Sequence, residues 1–132
     1  MKTTLSYKVP YADIDRMGFV YYAHYLVYFE RARNELLEEN GLPYSMLENE
    51  GVLLPVVKTE IEYKKPAHYS DILSLHARLA WARGVRLQID CEVTRGDLLL
   101  ASGYTIHAAL DKNSLKPIRV PEEILRLVNN PD

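Results

Sequence analysis

Residues 11–35 read Tyr-Ala-Asp-Ile-Asp-Arg-Met-Gly-Phe-Val-Tyr-Tyr-Ala-His-Tyr-Leu-Val-Tyr-Phe-Glu-Arg-Ala-Arg-Asn-Glu. Two carboxylates, Asp13 and Asp15, come first. Gly18 then gives the backbone freedom for a tight bend. From Tyr21 the spacing turns helical: Leu26, Phe29, Ala32, Leu36 and Leu37 recur at intervals of three and four, and Tyr22, Tyr25 and Tyr28 widen the apolar surface. Glu30, Arg31, Arg33, Asn34, Glu35, Glu38 and Glu39 take the wetter side, with Arg31 and Glu35 placed to pair across one turn. Asn40-Gly41 ends the run, because glycine accepts the left-handed cap, and Pro43 prevents its continuation. A helix apolar over so much of its surface needs a curved sheet or a partner chain to cover it.

The flanking sequence supplies the sheet. Residues 3–10 read as a first strand. Residues 44–50 read as a short second helix ended by Gly51, and residues 53–65 as a long strand stopped by Pro66. Residues 72–82, 85–94 and 98–110 alternate apolar and polar side chains, joined by Gly84 and by Arg95-Gly96-Asp97, which predicts an antiparallel meander. After a turn at 111–114, residues 118–120 read as a short extension. Pro121 then opens a helix over 122–128, favoured by two acids in its first turn. One long helix against four or five antiparallel strands is an α+β, two-layer plan.

Composition narrows the function classes. The 132 residues suit one domain spanning 1–132. A net charge of −2 gives no electrostatic ground for nucleic acid or an anionic membrane surface. Cys91 is the only cysteine, so no intrachain disulfide forms, which suits a reducing cytoplasm. The first residues lack the apolar core of a signal peptide, and no window reaches the length of a membrane span. The ten tyrosines are unusual, and each brings apolar area with a polar tip. His68, His76 and His107 fall in separate elements without metal-site spacing, so no metal and no cofactor is expected. No serine nucleophile elbow, glycine-rich phosphate loop or paired-cysteine motif appears.

The run from Tyr11 through Asp15, Gly18, Tyr22 and Tyr25 to Phe29-Glu-Arg-Ala-Arg33 resembles the hotdog-fold acyl-CoA thioesterases of the 4-hydroxybenzoyl-CoA thioesterase type. Glu62-Tyr63-Lys64-Lys65-Pro66-Ala67 with Asp71, and Lys116-Pro117-Ile118 through Pro121, extend the resemblance over essentially the whole chain. It implies a five- or six-stranded antiparallel sheet curled round the central helix. It also implies a homo-oligomer, at minimum a dimer and often a tetramer, with active sites between subunits. The implied reaction is metal-free hydrolysis of an acyl-CoA, or of an acyl carrier protein thioester.

On this resemblance Asp15 matches the catalytic carboxylate, as nucleophile or as general base on water, and the Tyr22 backbone N–H matches the oxyanion donor. Gly18 permits the bend, Asp13 is structural or supporting, and His24 stands where the family commonly has Asn, within reach of the carbonyl or of Asp15. Glu30 and Glu35 are the alternative acids, because another hotdog branch carries its catalytic Glu on the central helix. Arg83, Arg86 and Lys116 correspond loosely to basic positions that hold the CoA phosphates. Two competing functions use the same residues. One is an enoyl-CoA hydratase or dehydratase built on His24 and Asp15, and the other a non-catalytic acyl-CoA binding module.

Overall fold

A computed structural model describes residues 2–128. Its main layer is a five-stranded antiparallel sheet, built from β1 (Lys2–Lys8), β3 (Val56–Tyr63), β4 (Ile72–Arg83), β5 (Arg86–Arg95) and β6 (Leu98–Ala108). The spatial order is β1-β4-β5-β6-β3. The central helix α1 (His24–Glu39) packs on β1, β4 and β5. This is the α+β hotdog arrangement that the sequence predicts.

The two periodicities explain the layers. On α1 the buried residues are Tyr25, Tyr28, Phe29, Ala32, Leu36 and Leu37, one face at helical spacing. On β4 and β5 every second residue is buried: Leu73, Leu75, Ala77 and Leu79, against Leu87, Ile89, Cys91 and Val93. Cross-strand pairs such as Leu75 with Val93 and Ala77 with Cys91 put both sets on the face toward α1. Leu26, by contrast, lies on the exposed side of the helix, as does Val27, and Tyr22 is exposed in the turn before it. Burial raises the pKa of the Cys91 thiol to about 12, so it sits as a small neutral core residue.

Four local readings shift. The helix begins at His24 instead of Tyr21, because the Tyr21 and Tyr22 carbonyls accept from N–H groups three residues on, His24 at 2.9 Å and Tyr25 at 3.3 Å, and residues 22–23 form a turn. The long strand at 53–65 divides at Pro55. Val52–Leu53 (β2) pairs with Leu110–Asp111 (β7) in a separate ladder, and only Val56–Tyr63 joins the main sheet. Residues 118–120 form no strand; Ile118 and Val120 donate to the carbonyls of Ala109 and Gly84. Arg31 lies over the Tyr7 ring, 5.1 Å from its centroid, in place of pairing with Glu35. The helices at Tyr44–Asn49 (α2) and Glu122–Val128 (α3) form as read.

Strand β3 is the free edge beside β6, and its residues are exposed on both faces apart from Ile61. It lies close against β6 at one point. A Cβ built on Gly103 would come within 2.0 Å of the Glu60 carbonyl oxygen, so only glycine fits there.

Candidate active site

The segment before α1 is folded by its own acids. After a single 3-10 turn at Tyr11–Asp13, the chain extends through Ile14, which bridges to Val20. Asp15 opens the bend between them. Its Oδ1 accepts from the Met17 N–H at 2.9 Å and the Phe19 N–H at 3.3 Å, and its carbonyl accepts from the Gly18 N–H at 3.1 Å. An acid that bonds the backbone two residues on is a turn-forming device in its own right. Gly18 completes the turn at φ +88°, where a side chain is strained although nothing crowds the space. The other carboxylate oxygen of Asp15 accepts no hydrogen bond from the described residues, and it is not sealed from solvent.

Asp13 has a different environment. It is buried, and its Oδ2 accepts from the Tyr28 hydroxyl at 2.7 Å and the Tyr7 hydroxyl at 3.0 Å. Its Oδ1 lies 3.4 Å from His24 Nε2. Burial, and then the hydrogen bond to Asp13, push both tyrosine pKa values up, so the hydroxyls stay protonated as donors. Asp13 therefore joins β1, the loop and α1. His24 faces this carboxylate, not Asp15, so the hydratase reading loses the acid–imidazole pair it was built on.

The turn at Tyr21–Ala23 delivers the helix to Asp15. The His24 N–H donates to the Tyr21 carbonyl at 2.9 Å, and the Tyr63 hydroxyl donates to the Tyr22 carbonyl at 2.9 Å. Among the described residues, neither the Tyr22 N–H nor the Ala23 N–H finds an acceptor. A cleft of about 280 Å³ is lined by Asp15, Phe19, Tyr22, Tyr25, Tyr63 and Lys65, among others. On its other side Asp15 borders an open cleft with Asp13, Tyr21 and His24. Asp15, with a carboxylate oxygen left free, and Tyr22, with an N–H left free, thus line one cleft with an aromatic wall.

The remaining candidates lie elsewhere. Glu30 lines a separate cleft with Arg33 and Tyr44, 4.0 Å from the Arg33 guanidinium. Glu35, half-buried, sits five residues further along α1. Arg83 and Arg86 flank the β4–β5 turn. The Asp15 loop is tied to the other end of β4 through Val20 to Ala67 and Val9 to Asp71, on the order of 35 Å away at strand rise. Arg83 rests on the Trp81 ring, 5.1 Å from its centroid. Lys116 lies in the loop after β7, its carbonyl bonded by the Asp111 N–H. One chain therefore does not bring these three cations to Asp15. Among the described residues no group of His, Cys, Asp and Glu is placed to hold a metal ion, and no helix is long and apolar enough to cross a membrane.

The sequence pattern of the thioesterase-like superfamily matches residues 9–128. The chain belongs to this family. The Bacillus subtilis protein YneP is 38% identical over 114 residues, 85% of this chain and 82% of the relative. The Haemophilus influenzae acyl-CoA thioesterase YbgC is 33% identical over 118 residues, 89% of this chain and 87% of that one. Among solved structures, TT1821 of Thermus thermophilus superposes with a TM-score of 0.89 at 36% identity, covering 96% of each chain. Slr0204, a 1,4-dihydroxy-2-naphthoyl-CoA thioesterase from Synechocystis, gives 0.90 at 25% identity, covering 98% of this chain and 97% of its own. The chain is an enzyme of this family, a thioesterase.

In this thioesterase, three features of the site escaped the sequence reading: the tyrosine hydroxyls on Asp13, the Tyr63 hydroxyl on Tyr22, and Lys64 and Lys65 at the cleft. The abundance of tyrosine was the available signal. Which hydroxyl meets which acceptor depends on contacts between residues far apart in the chain.

Proposed function

We propose that this thioesterase hydrolyses the thioester of an acyl-CoA, with Asp15 as its catalytic carboxylate and the Tyr22 N–H as oxyanion donor. The supporting observation is that Asp15, which keeps one carboxylate oxygen unbonded, and Tyr22, whose N–H has no acceptor among the described residues, line the same aromatic-walled cleft. Asp15 attacks the carbonyl to give a mixed anhydride that water then opens, or it takes a proton from the attacking water. On either route the carbonyl oxygen gains charge, which an unpaired backbone donor stabilises. The thiolate leaves and is protonated, giving a free acid and a thiol. Gly18 and the Asp15 turn hold this geometry. His24 supports it from the second cleft, through Asp13.

The same reading makes the chain one domain of a cytoplasmic homo-oligomer, a dimer at minimum and a tetramer when fully assembled. The edge strand β3 is exposed on both faces, and its continuation, Lys64-Lys65, borders the cleft. An unpaired edge of this kind is a template for another strand. Antiparallel pairing of two copies sets the Val56 end of one β3 beside the Tyr63 end of the other. Because Val56 pairs with His107 and Arg86 with Ala108, such pairing carries the partner's Arg86 toward the cleft, about 10 Å from the edge. That gives Arg83, Arg86 and Lys116 a route to the CoA phosphates that one chain lacks. Acyl carrier protein is the alternative thioester donor.

Asp15→Asn, assayed by free-thiol release on aromatic, short-chain and longer acyl-CoAs, tests the reading. Turnover is expected to fall at least about a hundredfold with the fold intact. A folded variant with near wild-type turnover removes Asp15 from the chemistry. Water addition to crotonyl-CoA without thiol release would favour hydration instead.

A further inference from the structure

We propose that Tyr63 is a positioning residue for hydrolysis: its hydroxyl, donated to the Tyr22 carbonyl at 2.9 Å, holds the oxyanion turn in place. This rests on the acyl-CoA reading above. The peptide between Tyr22 and Ala23 lies just ahead of α1, in an opening turn of i→i+3 bonds and outside the regular i→i+4 ladder. Its carbonyl also receives the Tyr25 N–H at a longer 3.3 Å. The Tyr63 bond is the shorter one, and it comes from an element forty-one residues away in sequence. A hydrogen bond on this carbonyl restrains the orientation of Tyr22, the residue whose own N–H is the proposed oxyanion donor.

The hydroxyl is itself held from two directions. The Tyr63 ring meets Tyr25 edge-on, with centroids 5.2 Å apart and planes at 86°. Two residues before Tyr63, β3 is pressed against β6 at Gly103, where Ile61 pairs with the glycine and the Glu60 carbonyl occupies the space of a side chain. Beyond Tyr63 the strand leaves its ladder, as the Lys64 and Lys65 N–H groups both turn to the Leu100 carbonyl at 2.8 and 3.1 Å. Burial, and then the neighbouring Tyr22, raise the Tyr63 pKa, so the hydroxyl keeps the proton it donates. The edge strand open to a second copy is thus also the strand that steadies the oxyanion turn.

Tyr63→Phe removes the donor and leaves the ring on Tyr25. Tyr104→Phe is the control, because it deletes a hydroxyl bond to Glu60 Oε2 across the same strand pair without touching the turn. For Tyr63→Phe, kcat should fall roughly five- to tenfold with KM within about twofold and an unchanged melting temperature. The Tyr22 and Ala23 amide resonances should shift in a nitrogen–proton correlation spectrum. Tyr104→Phe should match wild type in both. Wild-type kcat in Tyr63→Phe, or unmoved amide resonances, overturns the proposal. So does a loss of activity shared by the two variants in step with melting temperature. If the wild-type enzyme releases no thiol from any acyl-CoA, the underlying reading fails and this one with it. Normal wild-type turnover beside an unaffected Tyr63→Phe rejects Tyr63 alone.

Discussion

His107 should make this fold sensitive to mild acid. The residue is 1% exposed on β6, with hydrogen bonds at both ring nitrogens. Nδ1–H donates to the Leu54 carbonyl at 2.8 Å, since a carbonyl can only accept. Nε2 must then take the Thr105 hydroxyl proton at 2.8 Å in the neutral ring. A second ring proton, on Nε2, would require the Thr105 hydroxyl to turn from donor to acceptor and would place a charge in a buried site near Arg33. Burial first, and Arg33 after it, outweigh the Leu54 bond and lower the pKa from 6.5 to about 4. Above pH 6.5 the ring is neutral in both folded and unfolded chains, and nothing is lost. Between 6.5 and about 4 only the unfolded chain binds the proton, so stability declines as pH falls. At about 1.4 kcal/mol per pH unit, the whole window is worth up to about 3 kcal/mol. Urea midpoints measured across this range for wild type and His107→Asn check the argument. The variant starts less stable but should show a shallower decline. His76, also lowered by burial, contributes in the same range and cancels in the comparison. Asp71 and Asp111 have pKa values held below 3.8 by hydrogen bonds, so they act only in stronger acid. Parallel decline of wild type and variant would refute the reasoning.

Two further outcomes test the scaffold of the site. Tyr28→Phe removes a buried bond to a carboxylate and should cost about 1.5–3 kcal/mol, more than Tyr7→Phe, whose hydroxyl is half-buried; thermal melts showing the reverse order would place the weight of Asp13 on Tyr7. Gly103→Ala must push back the Glu60 carbonyl, now 2.0 Å from the new methyl, at about 1–3 kcal/mol. That displaces β3, so light scattering should show weaker self-association and the thiol assay a lower kcat, and a variant unchanged in both would mean that β3 does not need this close approach.

The sequence by itself determined the layers. The 3.6-residue spacing in α1 and the two-residue alternation in β4 to β6 are local properties of the chain, and each dictates one buried face. Gly18, Gly41 and Gly84 sit at φ of +88°, +73° and +60°, so those bends too were readable from residue type. Asp15 stood out through a motif contained in a single short segment, and its turn is held by atoms within four residues of it. What the tertiary structure decided is everything that joins distant segments. Asp13 and Asp15 look alike in sequence, yet one is enclosed by hydroxyls from β1 and α1 while the other keeps an oxygen open. His24 faces Asp13 because the Tyr21 N–H is tied to the Asp13 carbonyl, which brings the first residue of α1 beside that carboxylate. Tyr63 reaches Tyr22 only because β3 lies on the sheet edge against Gly103. A hydrogen bond requires its two atoms to meet within about 3 Å, and for residues far apart in the chain only the packed fold sets that distance.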